Sequence, residues 1–263
     1  MRVNNRFISP EVFHGLKVLF DIQSLLGLKR ILKQKELLGQ RLLLGLLVLS
    51  AVLFTGCQTV SREDQLAVGQ VDEPTPLMNA LLDQDVGRAQ SLIASGSRIN
   101  VVSPIGSPLD VAARSKSADG VLVLLKAGAN PNIGIRNGQP SPLHHMTEIG
   151  ATNAVRALAV AGAELDYALN SGATALALAI ENGHLSAAKA LIKAGADVNA
   201  VVNGKSLLMM VVEQNSLLMA QMLVDSGVDI NFQNAEGLSA LTLAQKRGFV
   251  DLQMLLLQSG ART

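Results

Sequence analysis

Six segments of the chain share one internal spacing, and that spacing leaves few folds open. TPLMNALLDQDVGRAQSLIASG begins at Thr75, SPLDVAARSKSADGVLVLLKAG at Ser107 and SPLHHMTEIGATNAVRALAVAG at Ser141. TALALAIENGHLSAAKALIKAG follows from Thr174, SLLMMVVEQNSLLMAQMLVDSG from Ser206 and SALTLAQKRGFVDLQMLLLQSG from Ser239. Each opens on a hydroxyl residue and closes 21 positions later, on Gly96, Gly128, Gly162, Gly195, Gly227 or Gly260. Successive openings lie 32, 34, 33, 32 and 33 residues apart, so every length change falls between a glycine and the next hydroxyl. Rigid units joined by tolerant loops vary in this way.

Leucine takes the third place of every unit (Leu77, Leu109, Leu143, Leu176, Leu208, Leu241) and recurs fifteen residues later (Leu92, Leu124, Leu158, Leu191, Leu223, Leu256). Each unit reads as two helices of about ten residues. The hydroxyl is placed to N-cap the first helix, with Pro at its first position in three units, where the missing N–H costs nothing. The closing glycine is placed for the left-handed cap of the second. Helices this short are unstable alone, so each must bury its Ala/Leu stripe against a neighbouring unit. Small aliphatic side chains suffice for that, which accounts for a chain with 3% aromatic residues and no Trp. Truncating Leu256 should cost less than truncating Leu191, because the chain ends seven residues after it.

The period of 33, the openings of the Ser141-Pro142-Leu143-His144 type and the closings of the Gly195-Ala196-Asp197-Val198-Asn199-Ala200 type resemble the ankyrin repeat. Gly183-His184 fits that family's inter-helix turn, whereas Gln84, Lys116 and Asn215 stand where other units have its glycine. The resemblance implies an all-α solenoid of six helix-turn-helix units opening at 75, 107, 141, 174, 206 and 239, joined by short β-hairpin-like loops. The repeat domain would run over 74–263. It also implies a partner-binding surface built from the hairpin tips and the ends of the first helices. The residues at those ends include Arg114, Glu148, Glu181, Asn182, Glu213, Gln214, Lys246 and Arg247. Glu148, Glu181 and Glu213 would form an acidic row between basic ends. Asn170, Ser171, Asn203, Lys205, Glu236 and Leu238 would add contacts from the hairpin tips. By the same resemblance His144 bonds the opening hydroxyl of Ser141, and His184 buttresses an inter-helix turn.

The first 56 residues obey other rules. They hold eight Lys/Arg against three Asp/Glu, a balance of +5, while residues 57–263 hold fourteen against eighteen, a balance of −4. A basic stretch, KRILKQKELLGQR (29–41), precedes the charge-free run Leu42 to Phe54, and then come Thr55, Gly56 and the single cysteine, Cys57. A basic flank, a short apolar run and small residues at a cut site are the parts of a secretory signal. Thirteen helical residues reach roughly 20 Å, short of a roughly 30 Å hydrocarbon core. Phe54-Thr55-Gly56-Cys57 resembles the bacterial lipoprotein signal, with Phe54 departing from the Leu favoured there. That resemblance implies cleavage before Cys57 and lipidation of its thiol. Gln58 after it implies an outer-membrane, periplasm-facing destination over an inner-membrane anchor. An uncleaved anchor helix and an inert cysteine are the other readings of the segment. Residues 1–28 exceed what a signal needs and read either as sequence upstream of the true start or as an amphipathic extension. Residues 57–73 read as a polar tether.

Other chemistry finds little purchase. One cysteine excludes an internal disulfide framework and a cysteine-rich zinc site. His144 and His145 are neighbours on a helix, about 100° apart, and cannot both reach one metal. Met209, Met210, Met219 and Met222 crowd one unit, a pattern open to a soft metal such as copper(I). Two of them fall where sister units carry Leu, Ala or Val, which favours core packing. No unit breaks the repeat at a reactive residue, so neither an enzyme nor a resident cofactor or metal is expected. Three aromatics after Cys57 (Tyr167, Phe232, Phe249) and a negative balance argue against nucleic acid. The expectation is a monomeric, membrane-tethered module that binds an envelope protein. The alternatives are a scaffold or inhibitor of an envelope enzyme, and an accessory protein for a metal or cofactor.

Overall fold

The computed structural model describes residues 68–135 and 138–262. Residues 1–56, Cys57 and most of the 57–73 tether lie outside the described residues. Twelve helices among the described residues form six consecutive pairs. The pairs are α1 (Pro76–Leu82) with α2 (Val86–Ala94), α3 (Pro108–Arg114) with α4 (Ala118–Lys126), and α5 (Pro142–Glu148) with α6 (Thr152–Val160). Then come α7 (Ala175–Glu181) with α8 (Leu185–Ala194), α9 (Leu207–Glu213) with α10 (Leu217–Asp225), and α11 (Ala240–Arg247) with α12 (Val250–Gln258). First helices stack on first helices along the whole array, and each packs against its own second helix.

The sequence signals act as local chemistry predicts. All six opening hydroxyls are N-caps. The Thr75 and Thr174 hydroxyls each accept from the backbone N–H three residues on at 3.3 Å, and Ser107 does so at 3.1 Å. Every closing glycine has a positive φ, from 81° at Gly227 to 101° at Gly195, where any side chain would strain the backbone. The helices are shorter than expected, at seven or eight residues for the first of each pair and nine or ten for the second. The residue nine places after the hydroxyl turns left-handed and stops the first helix in every unit. Gln84, Lys116 and Asn215 do this at φ 56°, 56° and 53°, as Gly150, Gly183 and Gly248 do at 66°, 70° and 70°. The next backbone N–H then reaches back to a helix carbonyl, as in Ser117 to Ala112 at 3.0 Å and His184 to Ala179 at 2.8 Å. Packing on both sides imposes the turn even where glycine is absent, at a strain cost of about 1 kcal/mol per residue.

The loops carry the only strands among the described residues. β3 (Val201–Val202) and β4 (Lys205–Ser206) pair antiparallel around Asn203 and Gly204, at φ 51° and 76°, the two-residue turn that suits a twisted hairpin. β1 (Gly69–Gln70) pairs parallel with β2 (Val101–Val102), with Gly69 and Val71 donating to the carbonyls of Asn100 and Val102 at 3.1 and 3.0 Å. The end of the expected tether is therefore ordered against the first inter-unit loop, and the folded array begins before residue 74. Backbone groups of an extended segment find partners on the open edge of that loop.

The core runs the length of the array. All six third-place leucines are buried, as are Leu124, Leu158, Leu191, Leu223 and Leu256, while Leu92 is half-buried. The end effect expected at Leu256 thus falls at Leu92. The last unit already has the neighbour that covers this leucine, on its N-terminal side, and the first described unit has none.

A ladder of side-chain hydrogen bonds joins the units along the loops. Four residues after each of the first five closing glycines, an Asn or Asp oxygen accepts the backbone N–H of a residue in the next unit. Asn100 accepts from Asn130 at 2.9 Å, Asn132 from Glu164 at 3.1 Å and Asp166 from Asp197 at 2.8 Å. Asn199 accepts from Asp229 at 2.7 Å and Asn231 from Arg262 at 2.8 Å. Asn100, Asn132 and Asn231 also donate their amides to Gly128, Gly162 and Gly260 carbonyls, meeting groups the helix ends leave unpaired. No helix among the described residues is long and apolar enough to cross a membrane.

Candidate protein-interaction surface

The first helices end on one side of the array, where their terminal residues and caps come to the surface. Glu148, Glu181, Lys246 and Arg247 are exposed there and lie outside every ion pair among the described residues. Glu213 differs. Its carboxylate receives both contacts of the Lys205 ammonium, at 2.7 and 2.8 Å, within one unit. The hairpin of β3 and β4 sets Lys205 above the end of α9, so two expected partner contacts are already spent on each other. The uninterrupted row of three acids becomes two free carboxylates and one neutralised pair. At the other end, Arg114 Nε lies 3.1 Å from Asp110 Oδ2, and its Nη2 donates to the Ile105 carbonyl.

The amides at these positions partly serve the frame. Gln214 Nε2 donates to the Glu181 carbonyl of the preceding unit at 3.2 Å, and Asn182 Nδ2 to the Leu178 carbonyl at 2.9 Å. Asn170 lies so close to the previous loop that a Cβ on Gly138 would collide with its amide, and its N–H donates to the Gly138 carbonyl at 3.2 Å. Ser171, Asn203 and Glu236 are exposed. Leu238 is half-buried and packs against the core, so it is chiefly a structural residue.

Two hollows open on this side. Glu181, Asn203, Lys205, Glu213 and Gln214 surround one of about 290 Å³ between the fourth and fifth units, with Val202 and Met210 as its apolar wall. Arg114 and His145 share another of about 310 Å³ with Asp110, Ile105 and Gln139. Five of the expected contact residues are thus gathered in the first hollow, while Lys246 and Arg247 stand apart from both.

His144 and His184 take the places the resemblance implies. His144 Nδ1 lies 2.8 Å from Ser141 Oγ, and its ring meets Tyr167 edge-on at 5.7 Å. Burial pushes its pKa down to about 4 against the partial help of nearby backbone groups of Ala173 and Tyr167. His144 Nε2 and the hydroxyl of Thr147 in the same helix are buried without a hydrogen-bond partner. His145 is likewise held below its usual pKa by burial, with Glu148 opposing the shift. His184 Nε2 lies 3.0 Å from the Glu148 carbonyl of the unit before. Met209 and Met219 are buried, and Met210 and Met222 pack on the core.

The ladder and the Lys205–Glu213 pair are absent from the sequence expectations. The ladder had a signal, an Asn or Asp four places after five closing glycines. The ion pair had none, because Lys205 and Glu213 lie eight residues apart on two different elements.

Comparison with known proteins agrees with this geometry. Residues 133–202 match the family described as ankyrin repeats (3 copies). The B-cell lymphoma 3 protein homolog of Mus musculus is 35% identical over 201 residues, covering 72% of this chain and 45% of that protein. The chain spans less than half the length of that relative. The crystal structure of the ankyrin repeat domain of Bcl-3 superposes with a TM-score of 0.62 at 31% identity, covering 73% of this chain and 89% of that one. An ankyrin repeat domain from Acinetobacter baumannii gives a TM-score of 0.64 at 29% identity, covering 71% and 98%. The family builds protein-interaction modules, and its repeat, its stacking and its capped helices are all present here. The chain belongs to the ankyrin-repeat family.

Proposed function

We propose that the array is a non-enzymatic module that holds one protein partner on the side formed by the hairpins and first-helix ends, tethered to a bacterial envelope membrane through Cys57. The hollow between the fourth and fifth units carries the reading. It gathers an exposed carboxylate, an ion pair, two amides and an apolar wall in about 290 Å³, a mixture suited to fixing the orientation of a polar side chain from a partner. Glu148 extends the negative character one unit further. A partner presenting basic groups at that spacing is selected, and charge of this kind acts mainly on encounter rate.

The test leaves Glu213 untouched, since reversing it would break its own ion pair. Once a partner is captured from envelope extract, Glu148→Lys with Glu181→Lys should slow association most at low ionic strength and leave the melting temperature nearly unchanged. Equal association rates for both forms at low salt would remove the electrostatic part of the proposal. The tether is tested separately. Cys57→Ala should abolish incorporation of a palmitate analogue and release the chain from the membrane fraction, and equal labelling of the two forms would exclude lipidation at that thiol.

A further inference from the structure

The opposite side of the array, formed by the second helices, has a discontinuity. Close backbone contacts between consecutive second helices run through most of the array and are densest between α6 and α8, although a surface groove of about 790 Å³ lined by Ala159, Ala190 and Ala194 lies over that pair. Between α8 and α10 that close packing lapses. A groove of about 390 Å³ opens there, with Leu185, Ile192, Leu218 and Met222 as its apolar surface. Leu218 is 72% exposed. Lys189 and Lys193 stand along the α8 wall, one helical turn apart, and neither joins an ion pair among the described residues. Arg156 faces the same two lysines from α6 across an adjoining groove that no carboxylate lines.

We propose that the groove between α8 and α10 is a second docking site, and that it receives an acidic amphipathic helix of a protein partner. Such a helix covers Leu218, Met222 and Ile192 with its apolar stripe. Carboxylates at positions i and i+4 of its flank lie about 6 Å apart along the axis, the same rise that separates Lys189 from Lys193. Two charge-assisted contacts then form beside an apolar one, the arrangement of helix-in-groove recognition. An anionic membrane is the other surface that cations and exposed leucines would suit. It is disfavoured here, because Asp225 borders the groove itself and Asp251 is exposed on α12 in the next unit. A flat sheet of lipid phosphates spanning those units would meet both, whereas a single helix can turn its acidic flank to the α8 lysines and a neutral or basic flank to Asp225 on α10.

The test uses the full chain and a fluorescein-labelled synthetic helix with a leucine face and glutamates at i and i+4, compared with its glutamine and lysine counterparts by anisotropy. The glutamate helix should bind at least about tenfold more tightly than the glutamine one at low salt. Lys189→Glu with Lys193→Glu should abolish that preference and transfer it to the lysine helix, while Leu218→Asp should weaken all three. Glu148→Lys with Glu181→Lys, on the other side, should change nothing, so failure here is distinct from failure of the reading for the hairpin side. The substituted lysines are exposed, and an unchanged melting curve confirms the fold. Lys189→Gln with Lys193→Gln serves as the milder form if the reversal perturbs it. Equal binding of the glutamate and glutamine helices, or indifference to both lysine variants, would overturn the proposal. So would sedimentation with phosphatidylglycerol vesicles that the charge reversal abolishes, since that marks a lipid-facing surface.

Discussion

Acid should weaken the third unit in a way that depends on one side chain. His144 is buried against Tyr167, and burial holds its pKa at about 4 against 6.5 for an exposed histidine. Between those values the unfolded chain binds the proton and the folded chain does not, so stability rises with pH through this window. Falling pH therefore removes stability from about 6.5 downwards, and the loss is complete near pH 4. At about 1.36 kcal/mol per pKa unit, the full loss comes to roughly 3 kcal/mol. His144→Met removes the titration while keeping a residue the fold accepts, because Met78 and Met209 occupy the equivalent place in two other units and are buried. Carboxylates and His145 titrate in both proteins, so the difference between them isolates His144. Urea titrations followed by circular dichroism between about pH 7 and pH 4.5 should show the wild type losing about 2–3 kcal/mol more than the variant. A stability difference that stays constant over that range would refute the assignment of the burial cost to this ring.

Three further outcomes follow from the frame. Leu191→Ala should cost about 2–5 kcal/mol, as for other buried leucines, and Leu92→Ala distinctly less, since Leu92 is already half-buried; equal shifts in denaturant midpoint would contradict the covering direction of the units. Lys116→Gly should raise stability by about 1 kcal/mol by relieving a left-handed backbone at φ 56°, read as a higher thermal midpoint, while Asn215→Gly should gain less because Asn tolerates that region. Asn132→Ala removes an inter-unit acceptor and a donor to Gly162 and should cost about 1–3 kcal/mol, with faster amide exchange at Glu164.

The frame was legible because it repeats. Twelve leucines, six capping hydroxyls and six closing glycines in register specify helix pairs and their stacking before any coordinate is known. Misjudged details came from single events that break register. Gln84 and Lys116 hold a turn that local preference would assign to glycine, because the packing of both helices overrides a cost of about 1 kcal/mol. Residues 69–71 carry no periodic signal and pair through backbone atoms alone. The surface was harder still. Side chains at equivalent places are spent differently from unit to unit, as Glu213 on Lys205 and Glu181 on solvent illustrate, and only the hairpin between β3 and β4 decides which.

The ladder of Asn and Asp oxygens has an evolutionary consequence. Every rung joins a side chain of one unit to a main-chain N–H of the next, so the joint is indifferent to what the receiving side chain is. Asn130, Glu164, Asp197, Asp229 and Arg262 all supply the same amide hydrogen. A duplicated unit spliced into the array would arrive with its own acceptor and find a ready donor, with no new joint to invent. Recognition residues are then free to drift while the connection between modules is inherited intact, and the array can lengthen, shorten or change partner by separate mutations.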